Sequence, residues 1–153
     1  MTQKHSSQAV ILGTTPPSIE EVVAVARGNA QIDISSEALA AMATSRAYVE
    51  QLAHQETPVY GISTGFGALA NRHIPHEDRV QLQKSLIRSH AAGSGNEVER
   101  EVVRATMFLR LKTLTSGHTG VRPEIAQTYA AILTRSASSS SETLGYRLER
   151  AAC

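Results

Sequence analysis

Residues 59–67 read Val-Tyr-Gly-Ile-Ser-Thr-Gly-Phe-Gly, and this stretch divides the 153-residue chain into two regions of different pattern. Its three glycines permit backbone conformations that other residues rarely adopt, and they allow a ligand to approach the backbone closely. Pro58 favours an extended backbone leading into the stretch. We therefore predict an irregular loop that presents Tyr60.

Upstream of the loop, the pattern predicts short strands around a helix. Apolar residues of β type occupy Ala9–Leu12, and Ile32–Ile34 is a second short candidate. Ser18 stands three residues before Glu21, which is the spacing of a capping box, so a helix is predicted to begin here and to end at Gly28.

The rest of the chain is predicted to be helical, because apolar residues recur at helical spacing. Ser35 or Ser36 caps a helix that runs to about His54, another begins near Glu77, and two more cover residues 97–115 and 125–133. The 97–115 helix is apolar around much of its circumference, which is typical of a helix buried on several sides. The fold class is therefore mainly α, with one or two short N-terminal strands.

Composition excludes several classes of partner. The chain has 15 basic and 14 acidic residues mixed along its length, a formal net charge of +1, so neither nucleic acid nor an anionic membrane is expected to bind. No apolar run approaches the roughly 20 residues of a membrane span. Because Cys153 is the single cysteine, no internal disulfide can form, and we expect a soluble, cytoplasmic protein.

The pattern changes after Thr134. Residues 136–141 read Ser-Ala-Ser-Ser-Ser-Ser, and no apolar period follows them. We therefore predict one region over residues 1–134 and a low-complexity, disordered or poorly packed tail over residues 135–153.

Tyr60 and His90 together suggest a buried proton-transfer site. A tyrosine has a pKa of about 10, so Tyr60 would act as a base only if buried beside donors or positive charge that favour the phenolate. The alternative is that Tyr60 is a core residue with a satisfied hydroxyl and that the glycines form a turn. His90 lies late in a predicted helix, where a histidine more often packs or caps than reacts, so its pairing with Tyr60 is what makes it a candidate.

Two other motifs are rejected. Residues 65–70 fit a relaxed dinucleotide fingerprint, but no acidic residue follows about 20 positions later and no strand-loop-helix unit surrounds them. His73 and His76 have a spacing seen in metal sites, yet Pro75 lies between them and no further ligand clusters nearby, so no metal is expected.

Several segments, in order, resemble the histidine ammonia-lyase branch of the aromatic amino-acid lyases over about residues 9–134. They are Val59 to Gly67, then Leu82-Gln83 with Leu86-Ile87 and Ser89-His90-Ala91-Ala92-Gly93, then Val103-Arg104 with Met107, Leu109-Arg110-Leu111 and Gly117 to Val121. The resemblance implies the N-terminal part of that fold, leading into long core helices that belong to a larger α-helical homotetramer with shared active sites.

The same resemblance implies a role in histidine catabolism, the non-oxidative elimination of ammonia from L-histidine to give trans-urocanate. Tyr60 matches the tyrosine assigned to proton transfer, and His90, with Ser89, matches positions associated with substrate binding and side-chain choice. The active-site loop would comprise Gly61, Thr64, Gly65, Phe66 and Gly67. Some tyrosine-acting relatives carry a similar Ser-His pair, so a tyrosine or phenylalanine ammonia-lyase or an aminomutase is an alternative.

The chain departs from the family in one respect that bears on activity. The family's electrophile, methylideneimidazolone, forms from an Ala-Ser-Gly segment, and these 153 residues contain no such tripeptide. We therefore expect the chain alone to be inactive and the 97–115 helix to expose an apolar surface that favours association or poor solubility.

A change of reading frame near Thr134 is one explanation for the tail. A GC-rich back-translation of residues 144–153, read from its third nucleotide, gives Gly-Val-Ser-Leu-Gly-Ala-Ser-Gly-Leu, close to the family's cofactor segment. A gene-model error and genuine degeneration are further explanations. A non-catalytic binding or assembly module that retains the N-terminal part of the fold is the second function class.

Overall fold

The computed structural model describes residues 9–135. In chain order its elements are β1 (Val10–Leu12), α1 (Ile19–Ala26), β2 (Ile32–Ile34), α2 (Ser36–Ala53), α3 (Arg79–His90), α4 (Arg100–Leu114) and α5 (Pro123–Arg135). Single 3₁₀ turns occupy Gly67–Leu69 and His76–Asp78. Residues 136–153 lie outside the described residues. They include the serine run of the predicted tail, the segment that the reading-frame hypothesis concerns, and Cys153.

The two strands form a parallel pair that is joined by α1. Val10 pairs with Ile32 and Leu12 with Ile34, and Val10, Leu12 and Ile32 are buried. A parallel pair needs a crossover connection, and the Pro-rich turn followed by α1 supplies it. The predicted capping box is present, since Ser18 Oγ accepts from the Glu21 amide at 3.2 Å and the Ser18 amide donates to Glu21 Oε2 at 2.7 Å.

The core lies where α1 and α5 pack against α4, with the strand pair and α2 beside them. The buried apolar side chains at its centre come from all of these elements, namely Leu12, Val25, Met42, Phe108, Leu111 and Leu133. None of the helices within residues 9–135 is long and apolar enough to cross a membrane.

Two charged side chains of α4 are buried in this core. Arg104 is fully buried and donates from Nε to Val25 O at 3.0 Å and from Nη1 to Leu133 O at 2.8 Å. Lys112 donates from Nζ to Gly13 O at 2.8 Å and to Thr14 O at 3.0 Å. Burial lowers the pKa of both groups, with Arg100 lowering that of Arg104 further. Their carbonyl acceptors compensate part of the cost of burying charge.

The structure departs from the predicted apolar faces in two helices. In α2 the buried residues are Ala38 and Met42, whereas Ala43, one of the apolar residues that recur at helical spacing, is exposed. In α3 no residue is buried, and Val80, an apolar residue near its start, is 65% exposed. Within residues 9–135 this helix packs mainly beside the 3₁₀ turn that precedes it.

The long apolar helix, α4, is buried on one side and exposed on another. Met107, Phe108 and Leu111 face the core, while Val102 and Leu109 are exposed. The expectation that this helix presents apolar surface in the chain alone is therefore consistent with its packing.

Candidate functional site

A tight turn carries Tyr60. The amides of Ile62 and Ser63 donate to Val59 O at 3.1 and 3.0 Å, and Ser63 Oγ accepts from the Val59 amide at 2.9 Å. Thr64 adds a further bond, because its Oγ1 accepts from the Gly61 amide at 3.2 Å. The serine and threonine of the motif thus stabilise the turn through local side-chain bonds to the backbone.

Residues after the turn fold back on it. The Ile74 amide donates to Ser63 O at 2.9 Å and the Gly65 amide to Arg72 O at 3.2 Å, which forms an isolated antiparallel bridge between Thr64 and His73. Ser63, Thr64 and Gly65 are buried at this bridge. Residues 59–74 therefore form a hairpin-like loop that contains only turns, this bridge and one 3₁₀ turn, as the prediction of an irregular loop expects.

Gly61 and Gly67 occupy left-handed backbone conformations, with φ of +71° and +54°. At Gly61 a Cβ would also lie 3.3 Å from Cε1 of Phe66. Glycine is favoured at both positions because other residues rarely adopt a positive φ. The Tyr60 and Phe66 rings meet edge to face, with centroids 6.0 Å apart. The motif therefore places an aromatic ring directly against the tyrosine.

Tyr60 itself is 64% exposed. The described residues thus support the tyrosine at one edge without enclosing it. The burial that we expect for a proton-transferring tyrosine is not supplied by residues 9–135. Tyr60 does not lie in the core that residues 9–135 form, while the glycine-rich stretch does form the turn that the alternative predicts.

Ser89 and His90 occupy the last turn of α3, and both are exposed. Ser89 Oγ donates to Leu86 O at 2.8 Å, and Nδ1 of His90 lies 2.9 Å from Leu86 O and 3.1 Å from Ser89 Oγ. Since a carbonyl oxygen can only accept, the contact with Leu86 O is a hydrogen bond in the tautomer that carries its hydrogen on Nδ1.

The structure gathers the predicted site residues into two groups. Tyr60, Thr64 and Phe66 share the hairpin-like loop, and Ser89 and His90 share the end of α3. These groups are linked by Arg79, which no sequence motif singled out. As the first residue of α3, it donates to the loop and to α2.

The described residues hold no group of three or more His, Cys, Asp or Glu side chains that could bind a metal ion. His73 and His76 lie in the bridge and in the adjacent 3₁₀ turn, and both are exposed. Residues 65–70 form a turn and a 3₁₀ segment, which differs from the strand-loop-helix unit of a dinucleotide site.

Sequence comparison identifies relatives of this chain. A sequence model of the aromatic amino acid lyase family matches residues 18–139. Histidine ammonia-lyase of Streptomyces avermitilis is 62% identical over 124 residues, which is 81% of this chain. The chain spans about a quarter of that relative's length, 24%.

Solved structures show the same similarity in three dimensions. Tyrosine aminomutase from Streptomyces globisporus matches 84% of this chain with a TM-score of 0.79 and 34% identity, and the match covers 24% of that protein. Histidine ammonia-lyase from Trypanosoma cruzi matches 83% of the chain with a TM-score of 0.73 and 34% identity, again over 24% of its own length.

Proposed function

The chain belongs to the aromatic amino acid lyase family, and from this premise we propose that it forms part of an ammonia-lyase acting on L-histidine to give trans-urocanate. The observation that supports this substrate most is the 62% identity to a histidine ammonia-lyase over 81% of the chain. Elimination of ammonia needs removal of a proton from the β-carbon and loss of the amine, so it requires a base beside the bound side chain.

Tyr60 is the proposed base. Its turn is fixed by backbone and side-chain hydrogen bonds, and the Phe66 ring contacts the Tyr60 ring, so the backbone of Tyr60 is held in place and its ring has one neighbour. A phenol becomes an effective base only when its charged form is stabilised. We therefore propose that the remaining wall around Tyr60 comes from parts of the protein beyond residues 9–135.

His90 is the proposed substrate-binding residue. The imidazole of His90, at the end of α3, can hydrogen-bond a substrate side chain that carries an N–H or O–H group. This supports histidine over phenylalanine and keeps tyrosine as the alternative substrate. Ser89 Oγ is directed to Leu86 O, so we assign Ser89 to orienting His90.

The family's methylideneimidazolone does not fit this chain by itself. The 153 residues contain no Ala-Ser-Gly from which the group could form. The chemistry that these residues can contribute is therefore limited to the base and the substrate-binding histidine. We propose that the isolated chain forms no urocanate from L-histidine.

We also propose that the protein works in the cytoplasm as a homo-oligomer, a tetramer as the family resemblance implies. Exposed apolar residues on two helices support association: Val80 and Ile87 on α3, and Val102 and Leu109 on α4. Sedimentation of the purified chain measures this directly. A strictly monomeric, highly soluble chain would contradict the proposal.

A chimera tests the proposed function. Residues 18–134 of this chain replace the matching segment of the Streptomyces avermitilis enzyme, and urocanate absorbance is followed with L-histidine. We expect an active chimera, and we expect Tyr60→Phe to reduce kcat by roughly 10²–10⁴-fold, the usual contribution of a positioned base.

The matched control for Tyr60→Phe is Tyr48→Phe, since Tyr48 is an equally exposed tyrosine on α2, outside the site. We expect it to retain the activity of the chimera. Turnover of L-tyrosine without L-histidine would favour the aminomutase-type alternative. A folded chimera without any lyase activity would favour the non-catalytic module.

A further inference from the structure

Arg79 connects three parts of the site through one guanidinium group. Its Nε donates to Ile74 O at 3.1 Å, and its Nη1 donates to Ala53 O at 3.1 Å. Ala53 is the last residue of α2, and Ile74 ends the hairpin-like loop. The contact between Arg79 and Ala53 spans 26 residues of sequence, so it encloses the whole Tyr60 loop.

The hydrogen bonds continue from Arg79 to the turn that carries Tyr60. Ile74 accepts from Arg79 through its carbonyl and donates its amide to Ser63 O. Ser63 in turn bonds Val59 with both its amide and its hydroxyl. An unbroken series of hydrogen bonds therefore runs from the end of α2, through Arg79, to the residues that flank Tyr60.

Arginine is suited to this position in a way that lysine is not. The two carbonyl acceptors belong to separate segments, and the rigid guanidinium presents Nε and Nη1 to both at once. Charge-assisted bonds of this kind are stronger than bonds between neutral groups. Arg79 is partly buried, which limits competition from water.

We propose that Arg79 is a positioning residue of the site. It holds the Tyr60 loop against the end of α2 and, as the first residue of α3, fixes where the helix that carries His90 begins. The inference rests on the proposed function only in regarding the loop and α3 as parts of one site. Arg79 acts through the loop backbone and is not itself a catalytic residue.

Amide hydrogen exchange on the full 153-residue chain tests this without any substrate. In Arg79→Met, we expect the amides of Ser63, Gly65 and Ile74 to exchange roughly ten- to a hundredfold faster, the effect of losing hydrogen bonds from a charged donor. Amides in the middle of α4 should be unchanged, because the opening is local. Arg79→Lys should give a smaller increase, since one ammonium replaces two separate donors.

A spectroscopic signature accompanies the exchange. The Tyr60 and Phe66 rings meet at 84° with centroids 6.0 Å apart, so the Tyr60 proton resonances carry a ring-current shift, whose size should decrease in Arg79→Met. Arg88→Met is the matched control, because Arg88 is an exposed arginine of the same helix. It should leave loop exchange and ring shift as in the unmodified chain.

Two results would overturn the proposal. Loop amides that exchange equally in Arg79→Met and the unmodified chain would show that Arg79 does not hold the loop. Equal acceleration throughout the loop, α1 and α4 would show that it supports the whole fold instead. If Arg79→Met does not fold, Arg79→Lys decides between these outcomes. Because the readout needs no catalysis, an inactive chimera would count against the lyase proposal and leave this test unaffected.

Discussion

Arg104 donates from Nη1 to the carbonyl oxygen of Leu133 over 2.8 Å, so a fully buried cation lies against the last turn of α5. Its Nε makes the same kind of contact with Val25, in the last turn of α1. Helix C-termini carry partial negative charge and carbonyls that have no partner within the helix. The guanidinium of Arg104 donates to such a terminus in both α1 and α5. Two helices distant in sequence are thereby fixed to α4.

Replacing Arg104 with methionine should destabilise the chain by about 2 kcal/mol. Methionine fills similar space and removes the desolvation cost of the charge, but it leaves buried carbonyls without that donor. The stability of Arg104→Lys should lie between that of the original chain and that of Arg104→Met, since a single ammonium cannot reproduce the two donors of the guanidinium. Urea unfolding followed by circular dichroism measures the change, with the exposed Arg110→Met as control; an Arg104→Met chain as stable as the original would show that desolvation dominates.

Lys112→Met should loosen the segment that follows β1. Lys112 donates to Gly13 O and Thr14 O, and loss of these bonds should cost about 1–2 kcal/mol. The exposed Lys84→Met on α3 is the matched control and should change the free energy of unfolding by less than about 0.5 kcal/mol. Equal effects of the two substitutions would argue that the Lys112 contacts contribute nothing to stability.

Gly120→Ala should be more destabilising than Gly67→Ala. Both glycines have positive φ, +66° and +54°, so both substitutions carry a backbone cost of about 1 kcal/mol. A Cβ at Gly120 would also overlap Cγ2 of Val49, whereas nothing lies within 4 Å of one at Gly67. The clash should add about 1–3 kcal/mol.

A double substitution isolates that clash. Val49→Ala removes the γ-methyl that a Cβ at Gly120 would meet, so Gly120→Ala should cost less in the Val49→Ala background than in the original chain. Strict additivity in thermal or urea unfolding would refute close packing between α2 and the turn that precedes α5.

Tyr129 should make the fold less stable at alkaline pH. Burial raises its pKa, while the charge of Arg110 lowers it to a smaller extent. The folded chain therefore retains the phenol proton at a pH where the unfolded chain, with a tyrosine pKa near 10.0, has lost it. The contribution of Tyr129 to stability is therefore fully present below pH 10.0, the pKa in the unfolded chain. It is lost as the pH rises through the higher pKa that Tyr129 has in the folded chain.

Unfolding free energies measured in urea at a series of pH values test the Tyr129 prediction. The difference between Tyr129→Phe and the original chain should be constant below about pH 9 and should then increasingly favour the phenylalanine variant. Burial lowers the pKa of Lys112, so its effect on the pH dependence of stability has the opposite sign. Because both proteins contain Lys112, its effect cancels in the difference. A pH-independent difference would contradict the prediction.

Much of the fold was predictable because its signals are local. Ser18 and Glu21 define the start of α1 through side-chain contacts three residues apart, and Pro123 occupies the first turn of α5 as its residue type favours. The two strands and the mainly α class were likewise confirmed. Glycine spacing also identified the Tyr60 loop.

The remaining features depend on contacts between residues far apart in sequence. Nothing local indicates that Arg104 and Lys112 enter the core, because their carbonyl acceptors are supplied by distant segments. The role of Arg79 has no local signal for the same reason. In α3 apolar residues recur at helical spacing, yet no residue of this helix is buried within residues 9–135.

The pairing of α1 with α4 also has a consequence for synthesis of the protein. The Val25–Arg104 and Arg27–Glu101 contacts join residues 79 and 74 positions apart. At about 5–20 residues per second, a ribosome needs roughly 4–16 seconds to make the intervening chain. During that interval α1 can pack only against the strand pair, so the side of α1 that contacts α4 in the folded chain stays uncovered.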